Sequence, residues 1–308
     1  MAQTTESLKL FHRAGLIDRT LHLYMKAAKA PYKQMVNTVE TRDRYYQLAA
    51  LSDLPAASLI NEITLIPDEN LFSPWTQQII PRSRKIKFIV SDEAYSRDPE
   101  GVYKKAPYLT ERSISKALDI EGAGLLSRAT DATFLTTPDQ VAIASAAHLN
   151  EIGVWSNIIS SGGVANPVLS YGAVEDGIVQ LMGQTGYNGI DNYDLMGPYD
   201  LWVTTENVGL ANRIVKAMQR HDTANHDPNW AGDLIRNVVV VPRASASTTT
   251  AWALVATGDR NPFLLVNGLG LKTHYWYDGD NDAHKWNARK MWAYGAIDAR
   301  GFVYSAGA

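Results

Sequence analysis

Two long stretches near the end of the chain alternate apolar and polar residues across an acidic turn. Leu271 to Tyr277 alternates strictly, and Trp286 to Ile297 alternates with Trp286, Trp292 and Tyr294 on one face. Period two over runs of this length specifies β-strands with one buried face. The Asp278-Gly279-Asp280-Asn281-Asp282 turn between them predicts a hairpin. Upstream, strands are expected at Tyr199–Val203, Ile235–Val241, Ala251–Thr257 and Phe263–Val266, and helices at Gly172–Met182 and Glu206–His221. Any fold for this chain must therefore combine a long closing hairpin with a compact helix-and-strand region.

Three other features complete the layout. Leu16–Ala30 and Thr38–Leu51 read as helices ended by Pro31 and before Pro55, with no broad apolar stripe. Such a segment suits an arm ordered by a neighbour. Lys85–Val90 and Ser113–Ile120 both alternate, and about twenty polar residues (91–110) separate them. Hairpin loops usually have about 2–5 residues, so this pair reads as a projecting finger. Thr137-Pro138-Asp139 has the chemistry of a helix start, and Val141, Ala144, Leu149, Ile152, Trp155 and Ile159 succeed it at helical spacing. A long helix from there to Ile159 is expected, ending at Ser160-Ser161-Gly162-Gly163.

Composition narrows the function classes. With 45% hydrophobic residues and a net charge of −3, the chain is neither disordered as a whole nor a nucleic-acid coat. Zero cysteines exclude disulfides, thiolate nucleophiles and cysteine-held metals. No apolar run approaches the roughly 20 residues of a membrane helix, and residues 1–11 lack signal-peptide order; a soluble intracellular product with no membrane partner is expected. Residues 1–50 hold eight Lys/Arg against four Asp/Glu, whereas 151–200 hold six acidic residues and no basic one. That asymmetry suits contact between copies, or two solvated faces.

No catalytic constellation emerges. Gly183, Gly186 and Gly189 come after a helix and lack the lysine of a phosphate loop. Asp278, Asp280 and Asp282 have calcium-loop spacing, but Ala283 and Arg289 stand where the glycine and closing glutamate belong. His221 and His226, spaced i,i+5, do not share a helix face; His148 reads as a hydrogen-bonded core histidine. Glu175 and Asp176 point to different sides of a helix. No catalytic, cofactor or metal site is expected. Candidate inter-subunit contacts are Arg82, Arg84, Lys85 and Lys87 on the finger flank, and Arg97, Lys104 and Lys105 toward its tip.

An arm, a long finger, a spine helix, a compact helix-and-strand domain and long closing strands occur in an order that resembles tailed-bacteriophage major capsid proteins of the Hong Kong 97-like fold. The ending RKMWAYGAIDARGFVYSAGA is similar to that family's last strands, with Arg300-Gly301-Phe302-Val303 as the final hairpin. The resemblance covers essentially the whole chain and implies an α+β fold. Residues 1–58 would be the N-terminal arm, and 59–164 the extended loop (about 75–127) and peripheral domain with spine helix 138–160. The axial domain would be 165–268, and 269–308 the strands returning to the peripheral domain.

It further implies a homo-oligomer of hexamers and pentamers forming an icosahedral head around double-stranded DNA. A separate scaffolding protein and a portal would be partners, contact with packaged DNA would be weak and non-specific, and the shell would assemble in the host cytoplasm before residing in the virion. The family has a member that crosslinks a loop lysine to a neighbour's asparagine; Lys104 and Lys105 lie on the expected tip, but no motif marks an asparagine partner. Two other readings stay open: an encapsulin-type compartment shell, which shares the fold, and a soluble α/β enzyme with dispersed catalytic residues.

Overall fold

The computed structural model describes residues 32–49, 75–98, 101, 103, 106–187, 189, 195–220, 222–223, 227–242 and 249–307. The expected helix at 16–30, together with Lys104 and Lys105, lies outside them. The chain enters through a single helical turn, α1 (Tyr32–Met35), and β1 (Asn37–Glu40). β2 (Tyr46–Ala49) then forms an antiparallel ladder with β3 (Thr76–Ile79). The helix expected from Thr38 is thus overturned by extended structure. Thr38, Val39, Thr41, Tyr45 and Tyr46 are β-branched or aromatic, and the two strands alternate half-buried with exposed residues along their length.

β4 (Arg82–Ser91) is extended as expected and ends at α2 (Asp92–Ser96), where Ser91 Oγ accepts the Ala94 amide at 3.4 Å. The expected return strand of the finger, Ser113–Ile120, is helical instead. Residues 106–127 form one 22-residue helix, α3 (Ala106–Ser127), about 33 Å long. Ile114 and Leu118 are buried as expected, but Ile120, which the strand reading also buries, is 50% exposed. Leu125 and Leu126 continue the buried helical face. The ladder that encloses a long connection is β2–β3, around residues 50–74.

The second correction is the spine helix at 138–160. Thr137 and Asp139 close a tight turn there: Thr137 Oγ1 donates to the Val141 carbonyl at 2.9 Å, and Gln140 sits at φ 64°, outside helical space. Asp139 accepts from His148 rather than capping a helix. The stretch continues as a hairpin, β5 (His148–Asn150) with β6 (Gly153–Trp155), whose Ile152 and Val154 are exposed. A second small hairpin, β7 (Ser160–Ser161) with β8 (Val164–Ala165), turns on Gly162 and Gly163, both at positive φ. Adjacent residues at φ > 0 suit glycine and little else.

From residue 170 onward the strands at 199–203, 235–241 and 251–257 fall where the sequence reading places them, whereas the helix expected at Glu206–His221 is shorter and spans only Val208–Lys216. α4 (Tyr171–Met182) is capped by Ser170; next come β9 (Tyr199–Thr204), α5 (Val208–Lys216), α6 (Trp230–Leu234), β10 (Ile235–Val241) and β11 (Trp252–Ala256). The closing hairpin is longer than expected, because the strand at 263–266 and the one at 271–277 are one strand, β12 (Phe263–Asp278). It pairs antiparallel with β13 (Ala283–Ala296), with Asp278 opposite Ala283 across the acidic turn. The last strand is β14 (Phe302–Ser305). It pairs with β11, in the sheet of the compact region, and makes no hairpin of its own.

These strands form two four-stranded sheets. The first has the order β1-β12-β13-β4 and the second β10-β9-β11-β14. α3 covers the inner face of the first sheet, where Ile114 and Leu118 share a core with Ala288, Trp292 and Leu265. The second sheet is buried on both faces. Tyr199, Leu201, Val203, Trp252 and Leu254 pack with α4 and α5. Trp202, Ala253, Val255, Phe302 and Tyr304 join the first core. Burial on both faces explains the near-continuous apolar runs of β9 and β11. Trp202 marks the junction, its ring 5.0 Å from that of Phe263 on β12, and Phe263 stands edge-on to Phe302 at 5.2 Å. Gly295 lets β3 close on β13, since a Cβ there would lie 2.1 Å from Ile79. Trp202→Ala should therefore lower unfolding free energy by about 3–5 kcal/mol, measured by denaturant titration, whereas a loss of under about 1 kcal/mol would place the junction elsewhere.

Candidate subunit-contact surface

β4 is an edge strand, and its alternation divides the candidate basic residues between two environments. Arg84 faces α3. Its Nε donates to Glu121 Oε1 at 2.9 Å, and its guanidinium lies 5.4 Å from the Trp292 ring centre. The Trp292 indole N–H donates to the other Glu121 oxygen at 2.7 Å. Arg84 therefore ties helix to sheet within the subunit. Arg82, on the same side, is exposed and borders a shallow depression of about 490 Å³ with Gln77, Glu121, Arg128, Phe134 and Tyr294. Arg97 is exposed just past α2.

Lys85 and Lys87 point to the outer face of the first sheet, away from α3. Register puts Lys85 opposite Arg289 and Arg289 opposite Lys272; the next row is Lys87, Asn287 and His274. Lys87 Nζ sits 5.2 Å from the Trp276 ring centre on the same face. In a third row, Ile89, Lys285 and Trp276, the lysine is bound by Asp278. Sequence reasoning misses Lys272 and Arg289 as candidates. The signal is available nonetheless: in strands whose Trp286 and Trp292 point inward, residues of opposite parity share the outer face.

The remaining polar clusters serve the fold. Asp278 accepts from Lys285 and, at 2.9 Å, from Asn281, while Asp282 accepts from Tyr277, so the acidic turn uses its carboxylates internally. His284 bridges Tyr275 Oη at 2.6 Å and Asp92 Oδ1 at 2.9 Å. His148 is fully buried, with Nδ1 2.9 Å from Asp139 Oδ2. Arg220 bridges Glu175 and Asp222. His221 and His226 lie outside the described residues. Among the described residues no cluster of three metal-ligating side chains occurs, and no helix is long and apolar enough to cross a membrane.

The model of the phage capsid protein family matches residues 79–305. The chain belongs to that family. The matched region spans β4 and α3, every strand of the two sheets except β1, and the junction between them. No curated protein matches the sequence, but solved shells share the fold. The mature capsid of bacteriophage PhiM1 is 10% identical, with a TM-score of 0.58 over 89% of this chain and 86% of that one. The capsid of the empty GTA particle is 12% identical, at 0.54 over 91% and 90%. The capsid of the cyanophage P-SCSP1u is 11% identical, at 0.55 over 89% and 86%. The α+β Hong Kong 97-like fold is therefore the fold of this phage capsid protein, although the expected finger and spine helix fall on segments that fold otherwise.

Within this capsid protein the Asp139–His148 pair holds the segment between α3 and α4. Burial pushes the Asp139 carboxyl up, but hydrogen bonds from His148, Thr137 and the Leu149 amide outweigh it and hold it at about 2. A depressed folded-state value contributes stability that is fully present above the unfolded value of 3.8 and is lost as pH falls through about 2. Asp139→Asn should therefore cost about 2 kcal/mol at pH 7, and the gap from the wild type should narrow between about pH 4 and 2 in acid-unfolding curves. A gap independent of pH would contradict this.

Proposed function

We propose that this chain builds an icosahedral head shell around a double-stranded DNA genome, as hexamers and pentamers of itself. That it is a major capsid shell protein rests on one observation above others: the family match over 79–305, with assembled capsids sharing the fold across about nine-tenths of the chain. Family and fold are those of a structural protein, whose work is assembly geometry. The virion capsid is its location, with assembly in the host cytoplasm, and a scaffolding protein and a portal as further partners.

The peripheral domain is assigned to the first sheet with α3 as its spine, and the axial domain to the second sheet with α4 and α5. The extended loop is assigned to the β2–β3 ladder and residues 50–74 between its strands, and the N-terminal arm to residues 1–31. Copies in a closed shell meet through heterologous contacts, and segments reaching beyond each core enlarge those contacts past the roughly 1,600 Å² of a standard interface. Arg82 and Arg97 are exposed and suit such contacts, as do Lys85 and Lys87; Lys104 and Lys105 remain candidates from the sequence.

Residues 1–31 precede the described core, and their assignment as an arm makes them separable from it. The purified full chain should elute in the megadalton range, whereas a chain lacking residues 1–31 should keep the same thermal transition within a few degrees and elute as small species. Normal shells from the shortened chain would contradict the arm assignment; a full chain that stays a small oligomer, with or without its scaffolding partner, would contradict the capsid function.

A further inference from the structure

The outer face of the first sheet gathers positive charge that the subunit does not neutralise. Lys85, Arg289 and Lys272 stand directly opposite one another across three neighbouring strands, about 4.8 Å from strand to strand. Lys87 lies in the next row, about 6.8 Å further along β4, with its ammonium over Trp276. All four are exposed, and among the described residues none of them forms an ion pair. Asp278 is the one carboxylate that β4, β12 and β13 carry, and it is bound to Lys285. Like charges in opposed sheet positions repel, so the row destabilises the sheet until an anion meets it.

Shape and chemistry select among anions. A shallow depression of about 330 Å³ on this face is bordered by Lys85, Lys272, His274, Asn287 and Arg289, so an imidazole and a carboxamide accompany the charges. Lysine, arginine and asparagine side chains are common partners of phosphate oxygens along a nucleic-acid backbone. Charge density points the same way. The row is about 10 Å wide over its three strands, and a DNA duplex carries one negative charge per about 1.7 Å of its axis. Several phosphates therefore fall within reach of one subunit. Three strands with their side chains are also broader than the two-stranded ribbon that the major groove admits, so contact stays on the backbone and reads no bases. Taken singly, Lys85 and Lys87 suit a neighbouring copy; in their rows they suit a regular polyanion better.

We propose that the outer face of the β12–β13–β4 sheet binds the phosphate backbone of double-stranded DNA through Lys85, Arg289 and Lys272, with Lys87 beside them, and is the face each subunit turns to the enclosed genome. The proposal rests on the capsid function, which places DNA against one side of every subunit, and it names that side. Each phosphate that a cation neutralises releases counterions from the duplex, so log K falls with log salt at a slope of about −0.9 per contact. The contact is independent of base sequence, as a wall around a whole genome requires.

Salt-dependent DNA binding by the full chain tests it. Shell formation by the wild type is scored first; its failure removes the capsid function and the orientation with it, while the binding measurement stands by itself. Unassembled full chain is then titrated into a fluorescent duplex of about 30 base pairs between about 50 and 200 mM salt. With four phosphate contacts the wild-type affinity should fall about a hundredfold over that range. With Lys85→Gln, Lys272→Gln and Arg289→Gln it should fall only about three- to fourfold. The Gln set removes a mutual repulsion, so it should keep the thermal transition. The charge-preserving set Lys85→Arg, Lys272→Arg and Arg289→Lys should keep the wild-type slope. Absence of wild-type binding at the lowest salt overturns the proposal, as does a slope that the Gln set leaves unchanged. Equal affinity for polyglutamate and for the duplex also overturns it, and would assign the face to an acidic protein.

Discussion

Packing of α3 against the inner face of the closing hairpin and β4 is the contact on which the rest of the molecule depends. Trp292 is at its centre and is wholly buried. Glu121 joins three elements through one carboxylate, taking the indole N–H of β13 on one oxygen and Arg84 of β4 on the other, while Arg84 also covers the Trp292 ring. A charge-assisted bond to a partly buried carboxylate contributes about 1.5–3 kcal/mol, comparable to burying a large apolar side chain at about 1.5–3 kcal/mol. The hairpin then carries that order to the second sheet, because β12 begins at Phe263, in contact with Trp202. Two sheets of different topology are thereby joined through a shared core, with the start of β12 at its aromatic junction.

This arrangement leaves the first sheet with two unlike faces. The inner face is taken up by α3. The outer face carries the basic row and is left for a partner. The polar clusters that look chemical at first, His148–Asp139, Tyr275–His284–Asp92 and the acidic turn, each tie one backbone segment to another. Function resides in which surfaces are left over after the core is built.

The parts of this fold legible in the sequence are those whose pattern admits one period. Trp286, Trp292 and Tyr294 at even spacing across a long run fit only a strand, and the acidic turn places the hairpin at Asp278–Ala283. The α3 segment misleads because Ile114 and Leu118 are four apart, a spacing that satisfies both a strand and a helix; only the exposure of Ile120 separates the two. The 137–159 segment misleads for a different reason. Its capping residues and apolar spacing are genuine, but Asp139 is claimed by His148 and Asn157 by the Ser145 amide and Ile143 carbonyl. Those partners lie 9 to 14 residues away, beyond what local periodicity records. Of the contact surface, Lys85 and Lys87 are visible as a basic run, whereas Lys272 and Arg289 join them only through register.

Electron microscopy of the purified full chain, alone and with the scaffolding protein proposed for it, tests the central claim most directly. The account predicts closed shells tens of nanometres across with fivefold vertices, into whose wall the two-sheet subunit fits with α3 and the outer sheet face on opposite sides of the first sheet. A uniform population of small oligomers under both conditions would contradict it.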